Sequence, residues 1–283
     1  MRKSALIILL FVVLSTICFS TAGCSDKKPT ADSTGIDSID TDTTATDSLE
    51  SIISETPMPK AADELFDDFI FNFAANRRLQ YKRIKFPLAV YNGKSVTQIQ
   101  KSQWKMERFF MRQGYYTLIF DNKKQMDLVK DTTINHVVIE KIYFKIKTVK
   151  QYIFDRINGE WMMTALNNKA MYQNTNASFL KFYQRFSVDS AFQVRSMNDL
   201  VEFTSADPDD DFSTQTGSII PEQWPSFKPE LIPTGVIYNI IYGQKYTESN
   251  QKIFVIRGIA NGLEEELVFR MKGGKWKLMK FNG

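Results

Sequence analysis

The chain holds one histidine, His136, and two cysteines, Cys18 and Cys24. With Cys18 removed in an export signal and Cys24 acylated, as read below, His136 alone is left, too few for a zinc centre built from several His or Cys ligands. A nucleophilic serine on a Gly-x-Ser-x-Gly elbow is absent. His136 opens a predicted strand, where a lone histidine reads as a surface or half-buried residue. Asp207, Asp209 and Asp211, with Ser213, have the alternate spacing of a calcium loop's first ligands. Phe212 then stands where such a loop needs glycine and Ser218 where it needs a bidentate glutamate, so the run reads as a solvated acidic turn. Gly273-Gly274 leads into a strand and not a helix, which argues against a phosphate-cradling loop. What remains is a set of tyrosines on predicted strands: Tyr115, Tyr116, Tyr143, Tyr238 and Tyr242. Tyr116, Tyr143 and Tyr238, together with Trp224, are the candidates for lining a pocket, and spacing alone sets no carboxylate beside them. No catalytic residue, metal or cofactor is expected.

The elements that would position these side chains occur twice. Phe66, Phe69 and Phe73, then Leu79-Gln80, match Phe179, Phe182 and Phe186, then Phe192-Gln193, at a constant offset of 113. Spacings of three and four put the phenylalanines on one helical face. Gln103-Trp104 pairs with Gln223-Trp224, Phe154 with Phe269, and Gly159-Glu160-Trp161 with Gly274-Lys275-Trp276, at offsets of 120, 115 and 115. Drifting offsets in a fixed order mark an old duplication with small insertions. Strands rich in β-branched and aromatic residues follow in each half. In the first they are 115–120, 136–146, 149–156 and 160–165; in the second, 235–242, 252–260, 263–271 and 275–281. Asn158-Gly159 and Gly273-Gly274 mark tight hairpins.

Helices followed by long antiparallel strands make an α+β plan. The expected division is a first domain at 60–170 and a second at 171–283, the latter with a proline-rich insertion at 205–233. Pro221, Pro225, Pro229 and Pro233 make helix unexpected there, and Trp224 is expected to pack over the second domain or to cover a sheet edge.

Residues 1–23 read as an export signal: Arg2 and Lys3, a short apolar run from Ala5 to Ile17, then Thr21-Ala22-Gly23 before Cys24. The run of 13 residues falls short of the roughly 20 a spanning helix needs. Thr21-Ala22-Gly23-Cys24 resembles the bacterial lipobox, which implies acylation of Cys24, palmitate included; ordinary cleavage nearby is the plainer alternative. Residues 24–59 read as an acidic, Ser/Thr-rich tether too poor in apolar side chains to fold. Residues 25–59 carry a net charge of −6, which leaves +8 on residues 60–283. Asp32-Ser33-Thr34, Asp37-Ser38-Ile39, Asp42-Thr43-Thr44 and Asp47-Ser48-Leu49 resemble an O-glycosylation sequon of exported proteins from one Gram-negative phylum. That resemblance marks Ser33, Ser38, Thr43 and Ser48 as candidate sites; chance triplets in a Ser/Thr/Asp-rich linker are the alternative.

On the order of its elements, the Phe-x-x-Phe helix and the Phe…Gly-x-Trp ending, the chain resembles the nuclear-transport-factor-2-like domain, taken twice. It also looks like tandem-domain envelope lipoproteins of a family classed as a domain of unknown function. The resemblance implies two tandem cone-shaped domains, each with N-terminal helices packed on a curved antiparallel sheet. It implies an address in the cell envelope, anchored in the outer membrane on its periplasmic or surface face. The leading expectation is a non-enzymatic protein that binds a small apolar or glycan ligand or an envelope partner protein, and no nucleic acid. Acid–base catalysis of the isomerase or dehydratase type in one cone is the first alternative. A structural assembly module whose cones are filled by their own side chains is the second.

Overall fold

The computed structural model describes residues 63–207, 210–246 and 249–283. Cys24, Ser33, Ser38, Thr43 and Ser48 lie outside the described residues, with the rest of the signal and tether, as does Asp209.

Helix α1 (Phe66–Ala75) forms where the phenylalanine spacing predicts it, burying Phe66, Phe69, Ile70 and Phe73 along one face. Helix α2 (Arg77–Arg83) starts at Asn76, whose side chain accepts from the Leu79 N–H at 3.0 Å. Strands β1 (Ile84–Asn92), β2 (Ser95–Ile99), β3 (Tyr115–Phe120), β4 (His136–Tyr143), β5 (Thr148–Ile157) and β6 (Glu160–Ala170) complete the first half. The second half repeats the order: α3 (Ala177–Phe186), α4 (Ser190–Arg195), β7 (Met197–Asp207), β8 (Asp210–Ile219), α5 (Trp224–Phe227), then β9 (Val236–Ile241), β10 (Gln251–Gly258), β11 (Glu264–Lys272) and β12 (Lys275–Asn282). Asn158 and Gly159 have φ of 52° and 84°, and Gly273 and Gly274 have 53° and 73°, the left-handed pair that a two-residue hairpin needs.

All twelve strands join one sheet, in the order β2-β1-β6-β5-β4-β9-β3-β10-β11-β12-β7-β8. Three strand pairings therefore cross the expected boundary near residue 170. β9, from the second half, pairs antiparallel with β4 of the first, Lys141 opposite Tyr238. β3, from the first half, pairs antiparallel with β10 of the second, Val255 opposite Leu118. β3 and β9 touch in parallel only at Thr117 and Asn239. Each half has given its equivalent strand to the other.

The exchange explains the burial of the central strands. Tyr116, Leu118 and Phe120 lie in one apolar core with α1, while Ile119 between them lies in another with α3. Ile253 and Val255 divide from Phe254 and Ile256 in the same way. Successive strand residues point to opposite faces, so the two cores occupy opposite faces of the central strands. The elements around the α1 core are called the first lobe below, and those around the α3 core the second.

Residues 205–233 differ from expectation. They contain β8 and the short helix α5, and Pro225 sits in its first turn, where a missing N–H costs nothing. This stretch is the counterpart of the first half's β2-to-Trp104 segment. In both places an indole N–H meets a buried glutamine: Trp104 Nε1 donates to Gln80 Oε1 at 3.1 Å, and Trp224 Nε1 to Gln193 Oε1 at 3.0 Å. Each glutamine also donates to the helix before its own, Gln80 of α2 to Phe73 O of α1 at 2.9 Å and Gln193 of α4 to Phe186 O of α3 at 2.8 Å. Gln80 makes two further bonds, to the Glu107 O at 2.7 Å and from the Glu107 N–H at 3.1 Å. Gln80→Ala strands the Trp104 indole N–H in the interior, and a cost of about 1–3 kcal/mol is expected. Urea unfolding measures it, and a loss below about 0.5 kcal/mol, the scale of an ordinary surface change, would show that the network is dispensable.

Candidate functional site

In both lobes, aromatic rings fill the space between helix and sheet. Trp161 meets the edge of Phe66 at 5.1 Å, and Phe73 meets Phe154 at 5.5 Å. In the second lobe Trp276 meets Phe179 at 5.6 Å and Phe186 meets Phe269 at 5.2 Å.

Ionisable groups collect at the edge of the first-lobe core. The tether of Gln80 holds Glu107 over the ends of β4, β5 and β9. Its carboxylate accepts from Tyr152 at 2.6 Å and from Tyr238 at 3.4 Å, and lies 3.5 Å from Lys141 Nζ. Burial works against the charge on Lys141, yet Tyr238 and Glu107 beside it raise its affinity for the proton above the ordinary lysine value. Burial pushes the Tyr238 hydroxyl up to about 12. Lys141 also stands 5.7 Å from the Tyr143 ring and 5.1 Å from the Tyr238 ring. Tyr143 and Lys150 then reach an open cleft of about 540 Å³, shared with Asn92, Asn168 and Lys169.

A second set stands inside the same core. Asp67 on α1 accepts from Tyr116 at 3.4 Å and from Tyr242. Burial raises the Asp67 carboxyl above its ordinary range, and the two hydroxyls offset part of that rise. On the opposite face, Glu140 is 1 % exposed and raised by burial. Three amides satisfy it: Gln151 at 2.8 Å, Asn174 at 2.7 Å and Asn239 at 3.2 Å. Asn239 comes from the exchanged strand, so Glu140 fastens β9 to β4.

Of the four candidates named from sequence, Tyr143 and Tyr238 fall together beside Lys141, and Tyr116 is 1 % exposed against Asp67. Trp224 belongs to the other core, also 1 % exposed, with its ring edge-on to Phe281 at 6.1 Å. Glu107, Lys141 and Tyr152 had no motif or spacing to mark them.

The second lobe has an open cleft of about 720 Å³ between α3, α4 and the start of β12. Lys181, Arg185, Arg195, Lys275 and Lys277 line it with Trp276, and no carboxylate is among its lining residues. A neighbouring apolar cleft of about 480 Å³ shares Ser178 and Lys181 and adds Met171 and Tyr172.

Glu265, on the second-lobe face of β11, is pushed up to about 7 by burial and by Glu230. Its ordinary value is 4.5. Between those two values the folded chain holds a proton that the unfolded chain has released, so this group's contribution to stability falls as pH rises through the window and is level above it. Glu265→Gln is expected to raise the melting temperature at pH 8, by an amount moderated by the half-exposed site, and to change it little at pH 4. Melting curves at both pH values test this; an equal change at both would refute it.

Residues 45–283 match the family model described as Domain of unknown function (DUF4348). Among solved structures, an NTF2-like protein from Bacteroides fragilis is 43% identical, with a TM-score of 0.73, over 80% of this chain and 98% of that one. No curated protein matches the chain. The solved neighbour agrees with the α+β fold read from element order. By the extent of the family match, the chain belongs to the DUF4348 family and has an NTF2-like fold.

Proposed function

We propose that the chain is a non-enzymatic binding protein of the cell envelope, anchored by acylated Cys24, that takes its ligand at surface clefts and not inside its lobes. On this reading it is two cone-like modules in tandem that have exchanged one strand. The observation that carries it is the contrast between interiors filled by Phe, Tyr and Trp and an open cleft of about 720 Å³ on the second lobe whose charged lining residues are all basic. The buried carboxylates support the same reading. Asp67 and Glu140 are spent on hydroxyls and amides of their own fold, and neither lines the three clefts described above.

Melting of the full chain against envelope glycans, lipids and acidic peptides tests the binding role. A ligand of the native state raises stability by about 2.7 kcal/mol at a hundredfold excess over Kd. The expected result is an upward shift from anionic ligands that weakens with salt. Shifts from apolar ligands alone, or turnover of any added compound, would overturn the proposal. The address is tested apart from this: palmitate labelling in cells is expected for the wild type and lost in Cys24→Ser.

A further inference from the structure

The two lobes share one feature and differ in what fills it. In the first lobe the segment ahead of α1 lies across the start of β6. Asp63 accepts from Arg83 at 3.0 and 2.8 Å and from the Trp161 main-chain N–H at 3.0 Å. Arg156 donates to the carbonyls of Asp63 at 2.8 Å and Glu64 at 2.6 Å. An Asp-Glu stretch of main chain is thus held by one carboxylate and two carbonyls. The Trp161 N–H is available because its hairpin partner Arg156 turns its own N–H the other way, to Asn135 O at 2.8 Å. Residues so paired exchange no hydrogen bond with each other, and both N–H groups point outward.

The second lobe repeats the outward main-chain N–H without the occupant, and Ser196 and Met271 stand where Arg83 and Arg156 hold it in the first. Met271, opposite Trp276, donates its N–H to Asn250 O at 2.7 Å, which directs the Trp276 N–H outward. The segment ahead of α3 takes another path: Asn174 is bonded to Glu140 at 2.7 Å. No carboxylate of the described residues is bonded at Trp276, and the basic cleft opens there. Two of its cations are engaged, Arg185 with Asp189 at 3.2 Å and Lys277 with the carbonyls of Arg195 and Met197 at 2.6 and 3.1 Å. Lys181, Arg195 and Lys275 are in no ion pair among the described residues. Ser178 accepts from Trp276 Nε1 at 3.2 Å and keeps its own proton to donate. At the matching positions of the first lobe stand Asp68 and Glu160 in place of Lys181 and Lys275, so these two cations belong to the second lobe alone.

We infer that this cleft binds an extended segment of a partner protein through an Asp or Glu side chain, which takes the place at Trp276 that Asp63 takes at Trp161. The inference rests on the binding role proposed above and names its ligand class. A peptide fits better than a saccharide because the occupant at the matching N–H of the first lobe is itself polypeptide, received there by its Asp63 carboxylate.

The test uses the full chain, labelled with ¹⁵N, and the capped peptide Ala-Ala-Asp-Glu-Leu, which has the sequence of residues 61–65. Titration is expected to move the Trp276 main-chain amide signal and to leave that of Trp161, already occupied, in place. The Asn/Gln version of the peptide is expected to bind at least tenfold more weakly. Arg195→Glu with Lys275→Glu, both at the cleft's margin, is expected to abolish binding with an unchanged melting curve. Lys101→Glu with Lys105→Glu, exposed changes away from the cleft, serves as the control for net charge. Equal binding of the two peptides, indifference to the double variant, or no movement of the Trp276 signal at millimolar peptide would each overturn the inference. Trigalacturonate moving the Trp276 signal where the peptide does not would overturn the peptide assignment and leave the binding role standing. If the peptide, trigalacturonate and the ligands of the melting screen all fail, both readings fall.

Discussion

Severed after Gln173, the two halves are expected to remain unfolded when produced separately and to fold when mixed. Each half lacks a central strand that the other supplies. Without β9, the first lobe loses six paired positions along β4 and the burial of Tyr238, Ile240 and Tyr242 in its core. At about 1.5–3 kcal/mol for each large apolar side chain, that loss is as great as the whole stability of an ordinary domain, about 5–15 kcal/mol. It also bares a flat, apolar edge in the middle of a sheet, the kind that aggregates. Each half keeps its own copy of the missing strand, but β3 is a poor substitute for β9. Its sequence, Tyr-Tyr-Thr-Leu-Ile-Phe, has no amide to give the buried Glu140 that Asn239 now satisfies. Circular dichroism melts of residues 63–173, residues 174–283 and their mixture decide the matter. A sigmoidal transition from either piece alone would show that the halves are separable domains.

How much of this was legible in the sequence depended on the kind of side chain involved. The helical faces of Phe66, Phe69 and Phe73 and of Phe179 and Phe186 were legible because burial on one face leaves a period. The paired Gln and Trp residues were legible as a repeat, and the structure turns them into indole–amide hydrogen bonds. The outermost strands were not. β2, Ser-Val-Thr-Gln-Ile, is exposed over four of its five residues, and β8 is mostly Ser, Thr, Gln and Asp, so neither alternates apolar with polar. The strand exchange was invisible for the opposite reason. β3 and β9 are apolar on both faces, and such a strand fits any neighbour buried on both sides.

The site was the least legible part. Glu107 sits in a segment with no period, 45 residues before Tyr152 and 131 before Tyr238. No spacing rule links residues so far apart, and Tyr238 reaches the others only on the exchanged strand. The tyrosines were therefore findable as strand residues, and their carboxylates were not. The basic cleft was hidden in another way. Lys181, Arg185 and Arg195 lie on two short helices and Lys275 and Lys277 on a distant hairpin, so each reads alone as a solvated surface charge.

Lys252→Met is expected to cost about 3–5 kcal/mol, the usual result of removing one partner from a buried ion pair. The side chains of Lys252 and Asp121 are 5% and 4% exposed, with the ammonium on the carboxylate. The Tyr246 ring lies 4.9 Å from the same ammonium. Asp121 directly follows β3, and Lys252 stands next to Ile253, the residue of β10 opposite Phe120. The pair therefore pins the end of the lent strand to the lobe that receives it. Met keeps the length of the lysine stem and removes the charge, which leaves the Asp121 carboxylate buried without its cation. Lys252→Met with Asp121→Asn should recover much of the loss, since a buried pair and a neutral replacement of similar volume are close in energy. A double-mutant cycle in urea then reads the coupling directly. Additive losses in the cycle would mean that the exchanged strand is held by apolar burial alone, with the ion pair contributing nothing to its attachment.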